Sequence, residues 1–172
     1  MKKLLKINLL VLFLFLVAGN LNGQKFGHVN SGNLLVKLPE TKAADEKLKV
    51  YRDSLVKIGE ARADSLEKDF LEFAKAYQSG EVRPADAQKK QAEFQQRRDE
   101  LANFEDEVVN MVAVRRQSLL SPILDKVQDA IDEIGKEGNY TMIFDTSIFN
   151  TILFAVESND IEPLVKQKLG IQ

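Results

Sequence analysis

Between residues 44 and 77 apolar side chains recur at steps of four and three. The row is Ala44, Leu48, Tyr51, Leu55, Ile58, then Arg62, then Leu66, Phe70, Phe73 and Tyr77. That rhythm gathers one stripe on one face of an α-helix and predicts packing against a second helix. The additional four-residue step around Arg62 is a stutter, where a supercoil unwinds locally. Ser79-Gly80 interrupts the row, and Pro84 suits the first turn of a following helix, where its missing N–H costs nothing. A second stripe begins at Ala87, Phe94, Leu101, Phe104, Val108, Met111, Val112 and Leu119. It continues through Ile123, Val127, Ile131 and Ile134 to a Gly138-Asn139 stop. A break of about five residues between two long amphipathic helices makes them antiparallel neighbours.

Thr41 is the expected N-cap of the first helix, following Pro39, which ends any helix before it. About 38 residues at 1.5 Å per residue span about 57 Å. The second helix, at about 50 residues, outruns the first, which puts Pro122 level with the start of the first helix near Thr41. A mid-helix proline removes one backbone hydrogen bond and kinks the helix. The pattern therefore predicts a helical hairpin over 41–122, with its tip at 79–84, and a body made of 24–40 and 123–172.

Short runs in the body read as strands: the alternating Phe26-Gly27-His28-Val29-Asn30, then residues 140–144 and 152–156. Ser158-Asn159-Asp160 offers N-caps to a last helix through Leu164, Val165 and Leu169, closed by Gly170. The predicted class is α+β, predominantly α: a long antiparallel hairpin projecting from a small β-rich body. Three short strands with open edges are a weak unit alone, and pairing edges with other copies is the natural remedy. A homo-oligomer is expected, with Phe26, Val29, Ile143, Phe144, Leu153 and Phe154 in its oligomerisation body.

The first residues change the picture of where this happens. Lys2, Lys3 and Lys6 precede an apolar run over 7–18 and a small, polar stretch to Gly23. That order predicts a secretory signal peptide over 1–23, cleaved after Gly23, and hence export. The run is shorter than the roughly 20 residues that span a bilayer. An uncleaved N-terminal anchor is the alternative, and a lipoprotein is excluded by the absence of cysteine. Without disulfides, an exported chain relies on packing or oligomerisation. Removing the three lysines leaves 21 basic against 26 acidic side chains, net −5. That balance argues against nucleic-acid binding, which needs a basic surface.

Candidate chemistry is sparse. The only histidine, His28, sits on the first strand with no other His or Cys to complete a metal site. Carboxylate groups such as Glu105, Asp106 and Glu107 lie in densely charged helix and read as solvated faces, outside any pocket that would tune them. Neither a phosphate loop nor a nucleophile elbow occurs. No enzyme, metal or cofactor is expected. The aromatic residues Phe70, Phe73, Tyr77, Phe94 and Phe104 fill the seam on the simplest reading. Any that spill off it, together with Leu71 and Val109 on the flanks, are candidates to contact a partner.

The mature chain as a whole resembles the Skp/OmpH-like periplasmic chaperones. The likeness is carried by the opening strand, by the Gly138-Asn139-Tyr140-Thr141 strand start and by Ser158-Asn159-Asp160-Ile161 before the last helix. It implies a homotrimer whose three helical tentacles enclose a cavity and hold unfolded outer-membrane β-barrel proteins without ATP. Family members are often strongly basic, whereas this chain is acidic and its tip, Gly80-Glu81-Val82-Arg83-Pro84, is nearly neutral. No lipid site is carried over. The competing reading is a structural coiled-coil spacer or scaffold of the cell envelope, with a closed seam and no cavity.

Overall fold

The computed structural model describes residues 23–171, so the expected signal peptide lies, but for Gly23, outside the described residues. The elements run β1 (Phe26–Val29), α1 (Ser31–Lys37), α2 (Pro39–Gln78), α3 (Pro84–Glu137), β2 (Met142–Asp145), a 3-10 turn at Glu157–Asn159 and α4 (Glu162–Leu169). Long helices and a two-stranded sheet make the chain predominantly α with a small β part, as the pattern predicts. It divides into two compact units, one of residues up to Leu34 with Gln128–Gln172, the other Leu35–Val127.

In the Leu35–Val127 unit, α2 opens at Pro39 and not at Thr41. Leu38 occupies the cap position in an extended conformation and offers no side-chain bond. The fixed φ of Pro39 already suits the first helical turn, so a polar cap two residues later is not needed. The Thr41 hydroxyl is instead covered and unpartnered. At the other end Gly80 takes φ 76°. The N–H of Glu81 donates to the carbonyl of Ala76 (3.0 Å) and that of Gly80 to Tyr77 (3.2 Å). This left-handed closure is what the Ser79-Gly80 interruption encodes.

Cross-helix contacts fix the pairing of α2 with α3. Glu40 meets Lys126 (2.6 Å), the Arg62 guanidinium lies 4.2 Å from the Phe104 ring centre, and Asp69 meets Arg97 (2.7 Å). Each step toward the tip along α2 is matched by an equal step back along α3, so the helices are antiparallel and do not slip. Carried on, that register sets Pro122 opposite Ala44, about one turn from its expected level near Thr41. The buried seam includes Ala44, Leu55, Ala87, Phe94, Phe104, Ile123 and Val127. Gly59 faces Phe104, and a Cβ there would make ordinary contact with the ring at 3.5 Å.

In the other unit β1 and β2 pair in parallel, Phe26 with Met142 through Val29 with Asp145. On the far side of β1 the His28 carbonyl accepts from the N–H of Ile161 (2.9 Å). Val29, Leu34, Ile161 and Val165 are the centre of the core, with Ala130 and Ile134 from α3 also buried. Residues 31–37, to which the hydrophobic pattern assigns no element, form α1 because Asn30 caps it: its Oδ1 accepts from the N–H of Asn33 (2.8 Å).

Two expectations from the sequence need correction in this unit. Residues 152–156 are irregular, not a strand, because β propensity makes no strand without a ladder partner. Ser158-Asn159-Asp160 does not cap α4 as a run. Its first two residues form the 3-10 turn, Ile161 takes the cap position, and only Asp160 contributes, accepting at Oδ1 from the N–H of Glu162 (2.8 Å).

The turn after α3 rests on one ring. Asn139 takes the left-handed conformation at φ 51°, and the Tyr140 ring then lies over two glycines far apart in sequence. A Cβ on Gly27 would stand 2.9 Å from that ring and one on Gly138 2.5 Å from it. The Lys25 ammonium sits 4.0 Å from the ring centre and donates to the Gly138 carbonyl (3.0 Å).

Asp145 ties the end of β2 to the start of α1. Its carboxylate accepts from the N–H and hydroxyl of Ser31 and from the N–H (2.8 Å) and hydroxyl (2.9 Å) of Ser147. Burial pushes the carboxyl up, but these four donors outweigh it and hold it below its ordinary value. A depressed pKa contributes stability above the unfolded-state value and loses it as pH falls through the folded one. Melting temperature should therefore drop on acidification below about pH 4. Asp145→Ala should cost about 1 kcal/mol at pH 7 and flatten that acid limb. An acid limb identical in the variant would rule this carboxylate out as its source.

Candidate binding and assembly surfaces

The aromatic candidates on the hairpin close on one another. Phe94 (3% exposed) and Phe104 (8%) are core residues of the seam. Phe70 and Phe73 each set an edge against Phe94, both with centroids 5.5 Å apart, and Tyr77 stacks on Phe73 at 6.0 Å. Arg98 covers Phe70 from outside at 5.5 Å, and Arg97, held by Asp69, also reaches the Ser65 hydroxyl (3.2 Å). A buried ring has no surface to lend while the hairpin is folded, so Phe94 and Phe104 are not available to a partner. Phe70, Leu71 and Tyr77 remain exposed and Phe73 is half-buried. Val109 is the most open of the seven at 72%.

Other exposed apolar positions lie nearer the open end of the hairpin: Val50, Val56 and Ile58 on α2 and Val114 on α3. The heptad reading misses Val50, Val56 and Val114 because they stand off the seam, and it counts Ile58 in the seam although its side chain stays exposed. One signal points there: residues 108–114 (VVNMVAV) carry no charge in an otherwise charge-dense helix.

The β-containing unit sorts its six candidates differently. Val29 is core, Ile143 is half-buried, and Phe26 and Phe144 lean together at 6.2 Å with part of each ring in solvent. Leu153 and Phe154 are 86% and 84% exposed, and Phe149 and Ile148 beside them are also open. Next to this loop lies a pocket of about 330 Å³ lined mainly by Phe26, Phe144, Ile152, Phe154 and Val156. His28 Nε2 lies 3.1 Å from the Val156 carbonyl, an acceptor, so Nε2 carries a proton. Elsewhere Lys168 bridges Glu133 (2.7 Å) and Glu137 (2.8 Å). Its bonds to Glu133 and Glu137 raise its pKa, and the bond from Lys168 lowers that of Glu133. These pairs are exposed and carry little stability.

Among the described residues no group of His, Asp or Glu is arranged to hold a metal ion, and no helix there is long and apolar enough to cross a membrane. What the geometry offers is apolar surface, distributed along two helices and concentrated on one loop. A model of the outer membrane protein (OmpH-like) family matches residues 25–169.

The chain belongs to the OmpH-like family.

The match takes in both units. A solved structure from Caulobacter crescentus CB15, described as a candidate outer membrane chaperone (OmpH-like), superposes with a TM-score of 0.72. It is 14% identical, and the alignment covers 86% of this chain and 84% of that one. At that identity the likeness shows a shared fold. No curated protein sequence is similar enough to match.

Proposed function

We propose that this OmpH-like protein is an ATP-independent holdase that binds unfolded outer-membrane β-barrel proteins in transit across the periplasm. The observation that carries the reading is the long hairpin itself. It keeps apolar side chains exposed along its length, among charges. Many weak contacts of that kind suit a partner without fixed structure, and no ATP or cofactor enters. Membership of the OmpH-like family and the shared fold with a candidate outer membrane chaperone support it.

The holdase works as a homo-oligomer, which the resemblance makes a trimer. The open apolar loop at 148–156 and the small two-stranded sheet support self-association through the β-containing unit. Residues 41–122 serve as the client-holding arm, and residues 1–23 are removed on export.

The test dilutes a urea-unfolded β-barrel protein into buffer with and without mature protein. Near-stoichiometric suppression of aggregation, with no added nucleotide, is expected. Unchanged turbidity at several-fold excess rules out a holdase and favours a coiled-coil spacer. Solution scattering of the free protein then shows a closed rod in place of a hollow particle.

A further inference from the structure

Cleavage after Gly23 makes Gln24 the first residue of the mature chain, and a glutamine in that place carries its own electrophile. The free α-amine and the side-chain amide carbon, Cδ, belong to one residue, so their reaction is intramolecular and closes a five-membered ring. An α-amine titrates near about 8, which leaves part of it unprotonated and nucleophilic at neutral pH. Gln24 is exposed, so its side chain can turn back on the amine without displacing packed neighbours. The fold grips the chain from the very next residue. The Lys25 carbonyl accepts from the N–H of Thr141 (2.7 Å), one step before β1 and β2 begin to pair at Phe26 and Met142. The Lys25 ammonium donates to the Gly138 carbonyl (3.0 Å) and stands 4.0 Å from the Tyr140 ring centre.

We propose that Gln24 of the mature protein is a modification site, converted to pyroglutamate. The inference rests on removal of residues 1–23 and is independent of the holdase reading, which needs no modified terminus. The α-nitrogen attacks Cδ and forms the C–N bond of a lactam. The Cδ–Nε2 bond breaks, and the departing nitrogen takes a proton from the attacking amine and leaves as ammonia. No oxidant, reductant or co-reactant enters.

Two features of the fold make the state of this terminus matter. First, proteolysis concentrates at chain ends. Removal of Gln24 would bring the terminus to Lys25, and a second cut would delete a residue that holds Thr141, Gly138 and Tyr140 at the turn after α3. A lactam has no primary amine, so an aminopeptidase finds nothing to grip at the first step. Second, Lys25 lines a pocket of about 520 Å³ together with Lys168. A free terminal ammonium would add a further cation one residue from Lys25. The lactam removes that charge and leaves a neutral N–H and carbonyl in its place.

The experiment isolates the protein from the envelope fraction of the cells that encode it and reads its intact mass, with tandem mass spectrometry of the N-terminal peptide. We expect a chain of residues 24–172 that is lighter than its sequence mass by one ammonia, with the loss located on residue 24. The same protein from a strain carrying Gln24→Ala should show its full sequence mass. A broad-specificity aminopeptidase should leave the wild-type terminus intact and remove at least the first residue of Gln24→Ala. A Gln24 terminus with its full mass overturns the assignment. So does an ammonia loss that persists in Gln24→Ala, which would place the reaction elsewhere in the chain. A mature terminus at any residue other than Gln24 removes the cleavage reading, and this inference with it, while the aggregation assay of the holdase is untouched.

Discussion

Gly138→Ala is expected to lower the melting temperature of the β-containing unit by about 4–24 °C. The added Cβ would stand 2.5 Å from Cε2 of Tyr140, 2.7 Å from its Cδ2 and 3.0 Å from the Ile134 carbonyl oxygen. Neither neighbour can yield cheaply. The ring is pinned on its other edge by Gly27, whose own Cβ would stand 2.9 Å away, and the carbonyl is part of the last turn of α3, where it accepts from the N–H of Gly138 (2.8 Å). Overpacking of this kind costs about 1–3 kcal/mol. In a unit of this size each kcal/mol moves the midpoint by about 4–8 °C. Differential scanning calorimetry reads the effect in both backgrounds. A double-mutant cycle isolates its cause: in a Tyr140→Ala background most of the penalty from Gly138→Ala should vanish. If the penalty persists undiminished, the clash with the ring is not its source.

The second large effect concerns assembly. On the proposed self-association through the 148–156 loop, Leu153→Asp together with Phe154→Asp should leave a monomer of unchanged helicity. Both side chains stand more than four-fifths in solvent, so the substitutions remove no intramolecular core. Buried against another copy, each would contribute about 1.5–3 kcal/mol, and the pair about 10²- to 10⁴-fold in association constant per contact. Light scattering with detection down to low micromolar concentration measures the mass, and far-UV circular dichroism checks the helices. An oligomer that survives both aspartates would place the assembly surface elsewhere. A control at Phe94, which is buried in the hairpin seam, separates loss of assembly from loss of fold: Phe94→Asp should reduce helicity.

Legibility followed the range of the forces involved. Both long helices could be read because their stripes repeat over many turns, and each turn restates the same local rule. Their ends at Gln78, Pro84 and Glu137 are marked by glycine and proline, whose backbone preferences need no distant partner. Helix α1 was hidden because its stabilising feature is one side chain, Asn30, bonded three residues ahead. Of the surfaces, the charge-free run at 108–114 was visible in the sequence, but only part of it, Val109 and Val114 included, stands off the seam. A count of seam positions therefore passes over Val50, Val114 and their neighbours.

Sequence alone determined the two long helices, the turn that makes them antiparallel, the short β1 and β2 strands and the OmpH-like character of the chain. Tertiary structure decided what depends on partners distant along the chain. Residues 152–156 have the composition of a strand but no ladder to join, so they remain a loop with its apolar side chains outward. Phe94 and Phe104 look no different in sequence from Phe70 and Tyr77. The cross-helix register alone buries the first pair and leaves the second pair open. Tyr140 finds its place between Gly27 and Gly138 only after the chain has folded back on itself. In each case the energy comes from a contact between residues that sequence order keeps far apart.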